Sequence, residues 1–301
     1  MGTIRIGTRG SKLALYQANR VLEGLKHLGQ PAVLTVIETK GDRIQDRPLQ
    51  SLGTGIFTKA LDDALVANEV DIAVHSMKDV PTELPLPLES WAVLERGNPL
   101  DVLVLNDTDL HTVATGSIRR KAQWLHRYPQ DKVVGLRGNV ETRLAKVHSN
   151  PWHGGIFAAA GLERLDLLKD LSLVKELDWM VPAPAQGSIL VVGRSNNEAL
   201  RRIVFQLNHA ESALAASIER SFLLALEGGC AAPIGAIAEV TGSIVRFVGC
   251  LNSLDGSNEI RIERESAHGR AELGALWAQE LLALGGKMVM DEIRQSPQTD
   301  A

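Results

Sequence analysis

Aromatic residues make up only 4% of this 301-residue chain, and cysteine occurs twice. So few rings leave little for unpaired bases to stack on, which argues against single-stranded nucleic acid as a partner. Cys230 and Cys250 form neither a disulfide framework nor a zinc spacing. The eight histidines include no pair four residues apart, and HExxH is absent, so no metal site is expected. No run approaches membrane-spanning length, and MGTIRIGTRGS at the start holds no apolar signal core. A soluble, cytoplasmic protein with no membrane partner is the expectation. GTGIF (53–57) lacks the spacing of a dinucleotide fingerprint, and GGKM (285–288) lacks the hydroxyl of a phosphate loop.

What the chain does have is apolar bulk, at 45%, enough for a packed core and too much for disorder. Its length implies two or three domains. The net charge of −4 speaks against a general nucleic-acid surface. Yet 21 arginines stand against 11 lysines. Arginine is the residue that grips planar carboxylates and phosphates through two bonds at once, although a codon bias produces the same excess.

Short β-like runs alternate with amphipathic helical runs, as in a mostly parallel sheet. TIRIGT (3–8) reads as a strand and 11–29 as a helix capped by Ser11. AVLTVIE (32–38), a helix near 56–68 and a buried strand at 71–75 follow. ERGNP (95–99) reads as a hinge. Beyond it lie strands at 101–105, 112–115, 132–136 and 155–160, with helices after Ser117, Asn139 and Gly161. VPAPAQG (181–187) marks a second crossing, and SILVVG (188–193) returns as a strand. The remainder reads as a helix over 209–226, strands at 235–240, 243–251 and 258–265, and a helix at 269–284, an α+β pattern. The domains expected are 1–95 with 188–206, then 100–181, then 209–301. Two crossings between two α/β lobes imply a cleft between them.

DIAVHSMKDVP (71–81) poses the central chemical question. A run of the most buried kind ends, without a turn, in His75, Ser76, Lys78 and Asp79. Ligands of open α/β sheets bind beyond the carboxyl ends of strands. Polar residues recur at that point here: Arg9 and Ser11, then Ser76, Lys78 and Asp79, then Ser117, Arg119 and Arg120, then Arg137, Gly138 and Arg143, then Arg164. Taken singly, each is a cap or a solvated loop residue. Arg119, Arg120 and Lys121 together place three cations in a first helical turn, against the helix dipole, which costs stability unless an anion is near. Jointly the set describes a cationic pocket for a ligand with several carboxylates. A lone Asp79 in such a pocket makes sense where a reaction develops positive charge. Cys230, in EGGCAAPIG on a glycine-marked loop, reads as an accessible thiol, and Cys250 as a small buried apolar residue.

These stretches carry a resemblance. RIGTRGSKLALYQA (5–18), DIAVHSMKDVP (71–81), TGSIRRKAQ (115–123), LRGNVETRL (136–144), AAAGLERL (158–165), PAPAQG (182–187) and EGGCAAPIG (227–235) together resemble the porphobilinogen deaminase (hydroxymethylbilane synthase) family over essentially the whole chain. The resemblance implies an α/β fold: two periplasmic-binding-protein-like lobes with the active cleft between them, plus a small C-terminal α+β domain carrying the cofactor cysteine. It implies a transferase of tetrapyrrole biosynthesis. Four porphobilinogen molecules join head to tail, each losing ammonia, before water releases hydroxymethylbilane. It implies a dipyrromethane cofactor held by a thioether to Cys230. By the same resemblance Asp79 and Lys78 are catalytic. Arg9, Ser11, Ser76, Lys78, Asp79, Thr115, Ser117, Arg119, Arg120, Arg137, Gly138, Arg143, Arg164 and Gln186 bind cofactor and growing chain. A monomer acting on a small molecule, without nucleic acid, is the implied state.

Three positions depart from the family pattern: Thr54 where a lysine is common, Ala231 where a glutamine is common, and WHGGIFA (152–158). There His153 and two glycines replace an acid and apolar residues, which is expected to loosen that strand. The rival readings are a non-catalytic receptor for a polyanion, which gives Cys230 no role, and a nucleic-acid binder, which the acidic balance opposes.

Overall fold

The unbroken apolar run Ile72–Val74 sits in the middle of a five-stranded sheet, with its residues essentially enclosed. The computed structural model describes residues 2–38, 58–106, 108, 110–171, 173–226 and 232–296, which divide into two units. The first unit takes in 2–38, 58–97 and 187–213. Its strands are β1 (Ile4–Thr8), β2 (Ala32–Val36), β3 (Ile72–Ser76), β4 (Leu88–Val93) and β10 (Ile189–Arg194), in the order β2-β1-β3-β10-β4. β1 runs parallel to β2 and β3, whereas β10 is antiparallel to both β3 and β4. The sheet is therefore mixed, and SILVVG does return to it.

Period-two alternation decides which side chains of each strand face which helix. Ile4, Ile6, Ile72, Val74, Ile189 and Val191 pack on Ala18, Val21 and Leu25 of α1 (Lys12–His27) and on Leu200 and Val204 of α6 (Glu198–Val204). Each such isoleucine, leucine or valine, fully buried, contributes about 1.5–3 kcal/mol of transfer free energy. α2 (Lys59–Val66) contacts the sheet from β1 across to β4. Neither β4 nor α6 is foreseen by the sequence reading. LESWAV mixes polar and apolar positions after a proline-rich stretch, and α6 is short, held by Asn197 as its cap.

The second unit takes in 98–186 and 214–296 of the described residues. Its larger sheet has the order β7-β6-β8-β5-β9, made of β5 (Asp101–Leu105), β6 (Thr112–Ala114), β7 (Lys132–Val134), β8 (Gly154–Ala158) and β9 (Val174–Glu176). β6 is parallel to β7 and β8, while β5 is antiparallel to β8 and β9. α3 (Ile118–Arg127) and α4 (Val140–Ser149) are capped by the Ser117 and Asn139 side chains, as their sequences predict. α5 (Ala159–Arg164) begins two residues before Gly161, so Ala159 and Ala160 open the helix and do not extend the strand. β9 escapes sequence reading because VKE is exposed throughout and carries no apolar signal.

The glycines of WHGGIFA do not loosen β8. All five of its residues pair with β5. A Cβ on Gly154 would lie 2.4 Å from the Val104 carbonyl oxygen, and one on Gly155 would lie 2.4 Å from Val147 Cγ2. The absent side chains let neighbouring elements close in on the strand.

The rest of the second unit is α7 (Ala210–Ala225), whose first turn lies in the first unit, the antiparallel sheet β11-β12-β13 (Ile234–Thr241, Ile244–Asn252, Glu259–Ser266), α8 (Leu273–Leu281) and α9 (Lys287–Gln295). Between α8 and α9 the helix is broken at Gly285, where φ is +114°. Phe247 packs between Phe222 and Trp277, with ring centroids 5.1 and 4.7 Å away. This sheet docks on α3 through the β12–β13 turn. Gly256, with φ of +78°, fits against α3, and its carbonyl accepts from His126 Nδ1 at 2.9 Å. A Cβ there would strike the Ala122 oxygen at 2.6 Å. Among the described residues no helix is long and apolar enough to cross a membrane.

Gly154→Ala is expected to destabilise the second unit by about 1–3 kcal/mol, the usual cost of forced overpacking. Urea unfolding followed by circular dichroism checks this, and a midpoint equal to the parent's would contradict it.

Candidate active site

In the first unit the parallel strands β1 and β3 deliver their carboxyl ends to one edge of the sheet. Thr8 Oγ1 donates to the Ala14 carbonyl at 3.1 Å, fastening the end of β1 to the first turn of α1. Ser11 Oγ caps that helix, accepting from Ala14 N–H. Arg9, between them, is partly exposed. At the end of β3, Ser76 Oγ accepts from Gln17 Nε2 at 2.8 Å, and Gln17 itself is buried in α1. Met77 N–H donates to the Ser188 carbonyl at 3.0 Å, pinning the following turn to the start of β10.

One turn of tight helix, Met77–Asp79, completes this tip. Met77 is buried as its plug, Lys78 is half-buried, and Asp79 is exposed. The strand thus ends in a rigid mount that holds a carboxylate toward solvent. His75 has the opposite character. Its ring is enclosed, and burial together with the nearby Arg9 charge pushes its pKa down to about 4. Nε2 has no hydrogen-bond partner among the described residues. A neutral imidazole at the base of the tip adds no further cation beside Arg9.

In the second unit β6, β7 and β8 likewise end at one edge, and β5, running the other way, begins there. Thr115 is buried, and its Oγ1 accepts from Ser117 N–H at 3.2 Å. Arg137 follows β7. Burial lowers its pKa, and its Nη1 is enclosed with no partner among the described residues. Gly138 turns the chain at φ of +117° into Asn139, the cap of α4. Arg143 lies over the Phe157 ring at 5.7 Å, and Arg164 is partly buried at the end of α5.

Arg119 and Arg120 lie in the first turn of α3. Both are almost wholly buried and share one carboxylate, Asp101, the first residue of β5. Arg119 Nη2 meets Oδ2 at 2.8 Å, and Arg120 Nη2 meets Oδ1 at 2.7 Å. The anion that these first-turn cations require is supplied by the protein itself. Burial alone would raise the Asp101 pKa; Arg119 and Arg120, helped by Gln186, outweigh it and hold the carboxyl at about 2. The group still carries one surplus positive charge, two guanidiniums against one carboxylate. Arg119 Nε is buried without a partner among the described residues.

Gln186 is also buried, donating to the Pro99 carbonyl at 2.7 Å and to Asp101 Oδ1 at 2.9 Å. The neighbouring Ala185 N–H donates to Glu219 Oε2 at 2.6 Å, while Glu219 Oε1 accepts from Ala238 N–H at 2.7 Å. Sequence reasoning missed Gln17, Asp101 and Glu219. Asp101 left the clearest trace, an acid opening the otherwise apolar DVLVL. Cys250 is, as expected, fully buried, and burial pushes its thiol up to about 12. Cys230, Thr54 and Ala231 lie outside the described residues.

Residues 4–202 match the family model described as "Porphobilinogen deaminase, dipyromethane cofactor binding domain", and residues 213–283 match "Porphobilinogen deaminase, C-terminal domain". The chain belongs to the porphobilinogen deaminase family. A porphobilinogen deaminase of Geotalea daltonii is 39% identical over 97% of this chain and 95% of its own length. A probable porphobilinogen deaminase of Methanocaldococcus jannaschii is 44% identical over 78% of this chain and 82% of its own. Among solved structures, a periplasmic domain of Bordetella pertussis BvgS is similar with a TM-score of 0.42 at 15% identity, covering 68% of this chain and 86% of that one. The porphobilinogen deaminases are transferases, and the dipyrromethane domain of the family model spans both sheet edges described above.

The His75 ring is expected to show no titration between pH 5.5 and 8 in nuclear magnetic resonance spectra. Its folded pKa lies below the unfolded value, so the stability it contributes is present above about 6.5 and is lost as pH falls toward 4. A His75 transition near 6.5 would contradict this environment.

Proposed function

We propose that this chain condenses four porphobilinogen molecules head to tail, expelling ammonia at each addition and releasing hydroxymethylbilane with water. The observation that supports this most directly is the pair of enclosed guanidinium nitrogens, Arg119 Nε and Arg137 Nη1, with no hydrogen-bond partner among the described residues. Leaving a charged donor unsatisfied is costly, and a carboxylate brought by a ligand relieves that cost. Each pyrrole of this pathway carries an acetate and a propionate, so the donor set suits a dipyrromethane. When bound through Cys230, that group supplies the nucleophilic pyrrole to which substrate is joined.

The protein's own residues divide the remaining work. In the second unit, Arg119, Arg137, Arg143 and Arg164 neutralise ring carboxylates, with Thr115, Ser117 and Gly138 shaping the strand ends that carry them. Arg120 and Gln186 hold that edge in place. In the first unit, Arg9, Ser11, Ser76 and Lys78 receive further carboxylates. Asp79 does the chemistry of charge: it accepts a hydrogen bond from the substrate's aminomethyl nitrogen, steadies the cation left as ammonia departs, and takes the proton that the coupled ring gives up. Lys78 beside it orients the acidic arms of the same substrate. The protein works as a cytoplasmic monomer on a small molecule, independently of nucleic acid and membrane.

Intact mass spectrometry of the purified chain tests this reading. The expected result is an added mass of two pyrrole rings, lost in Cys230→Ala. An unmodified parent chain from a porphyrin-producing host would favour a polyanion receptor instead. Asp79→Ala is expected to keep the adduct while turnover falls by at least about a hundredfold, the usual scale of a lost acid–base group. Near-normal turnover would remove Asp79 from this role.

A further inference from the structure

Asp101 stands outside every motif that carries the family resemblance, yet it is the most heavily bonded side chain at the sheet edge of the second unit. Because β5 is antiparallel to β8, its first residue arrives where α3 begins. The side chain is fully buried. It takes Arg119 Nη2 at 2.8 Å, Arg120 Nη2 at 2.7 Å, Arg120 Nε at 3.1 Å and Gln186 Nε2 at 2.9 Å. Three of these donors converge on Oδ1, while Oδ2 faces Arg119 as an ion pair and has no hydrogen bond among the described residues.

Main-chain carbonyls take up further nitrogens. Arg119 Nη1 donates to Val181 at 2.8 Å, and Arg120 Nη1 donates to Ile156 at 2.9 Å. All three nitrogens of Arg120 are thereby engaged, and Arg119 keeps only Nε uncommitted among the described residues. Two flexible cationic side chains in the first turn of a helix would otherwise extend toward water, since the helix dipole repels them.

We propose that Asp101 is a positioning residue for the anion-binding edge: it fixes the Arg119 and Arg120 guanidiniums as one clamped pair and leaves Arg119 Nε as the donor offered to a carboxylate of the dipyrromethane. This rests on the functional reading above. Asp101 does not touch the ligand; it decides where the cations stand. A grip set in advance costs less ordering entropy on binding than two free arms would. It also keeps the pair at a single net charge, so that the edge holds a polyanion without every acid of the growing chain being seized there.

The test compares the parent holoenzyme with Asp101→Glu and Asp101→Asn. Glutamate keeps the charge but moves it by one methylene, whereas asparagine leaves the two cations unpaired. The expected result for Asp101→Glu is a folded protein whose KM for porphobilinogen rises at least tenfold with kcat per loaded chain within threefold. Its adduct-bearing fraction, read by intact mass, should fall at least twofold. Asp101→Asn should be worse on both measures. A purely architectural aspartate would reduce the folded fraction without moving KM, so a KM within twofold of the parent in folded Asp101→Glu overturns the proposal. Should neither variant fold, the parent holoenzyme decides. The Nε–H of Arg120 is then expected to exchange with solvent at least tenfold more slowly than that of the exposed Arg246, and equal rates overturn the clamp. A parent chain without any adduct would instead sink the functional reading, and is distinguishable on that ground.

Discussion

A single buried carboxylate between two buried guanidiniums is the constraint around which the second unit is organised. Cations in the first turn of α3 oppose the dipole of that helix, and burying them without an anion would be prohibitive. The antiparallel entry of β5 resolves the conflict by bringing Asp101 to the place where the parallel strands end. Breaking such a buried pair from one side typically costs about 3–5 kcal/mol, because a charge is left without an answer. The same carboxylate engages Gln186, which also bonds the Pro99 carbonyl. The two chain segments that enter and leave this unit are thereby tied to the helix that bears the cations.

The first unit solves a different problem at its own sheet edge. There the acid must remain available. Gln17 secures Ser76, the Ser188 carbonyl secures Met77, and Met77 fills the space beneath the turn. Asp79 is consequently exposed on a backbone that has little freedom. Burial keeps the adjacent imidazole of His75 neutral, so the local field is set by Arg9, Lys78 and Asp79. One edge thus stores charge in an enclosed, largely paired form, and the other presents it.

Much of this was legible in the sequence, for identifiable reasons. The strands IRIGT and IAVHS and the capped helices after Ser11, Ser117 and Asn139 declare themselves by apolar runs and by cap chemistry that acts within a few residues. The two chain crossings declare themselves through proline and glycine. The partners of the polar residues were not legible. Nothing local connects Arg119 with an aspartate eighteen positions upstream, or Ser76 with a glutamine in α1, because sheet order decides those meetings. The apparent weakness of WHGGIFA misled for a related reason: what a glycine permits depends on which backbone comes to lie against it, here the Val104 carbonyl. β9 and α6 are settled by tertiary pairing and a lone cap, with little apolar periodicity of their own.

The two hairpin turns of the small sheet differ in how much foreign matter they admit. At Gly256 the main chain presses into α3 and is bonded by His126, whereas a Cβ at Gly242 meets nothing within 4 Å. A peptide tag or fluorophore-bearing insertion belongs at the β11–β12 turn, where it can report on the molecule from outside. Placed fourteen residues later it would wedge the small sheet away from the helix whose opposite end carries the arginine pair.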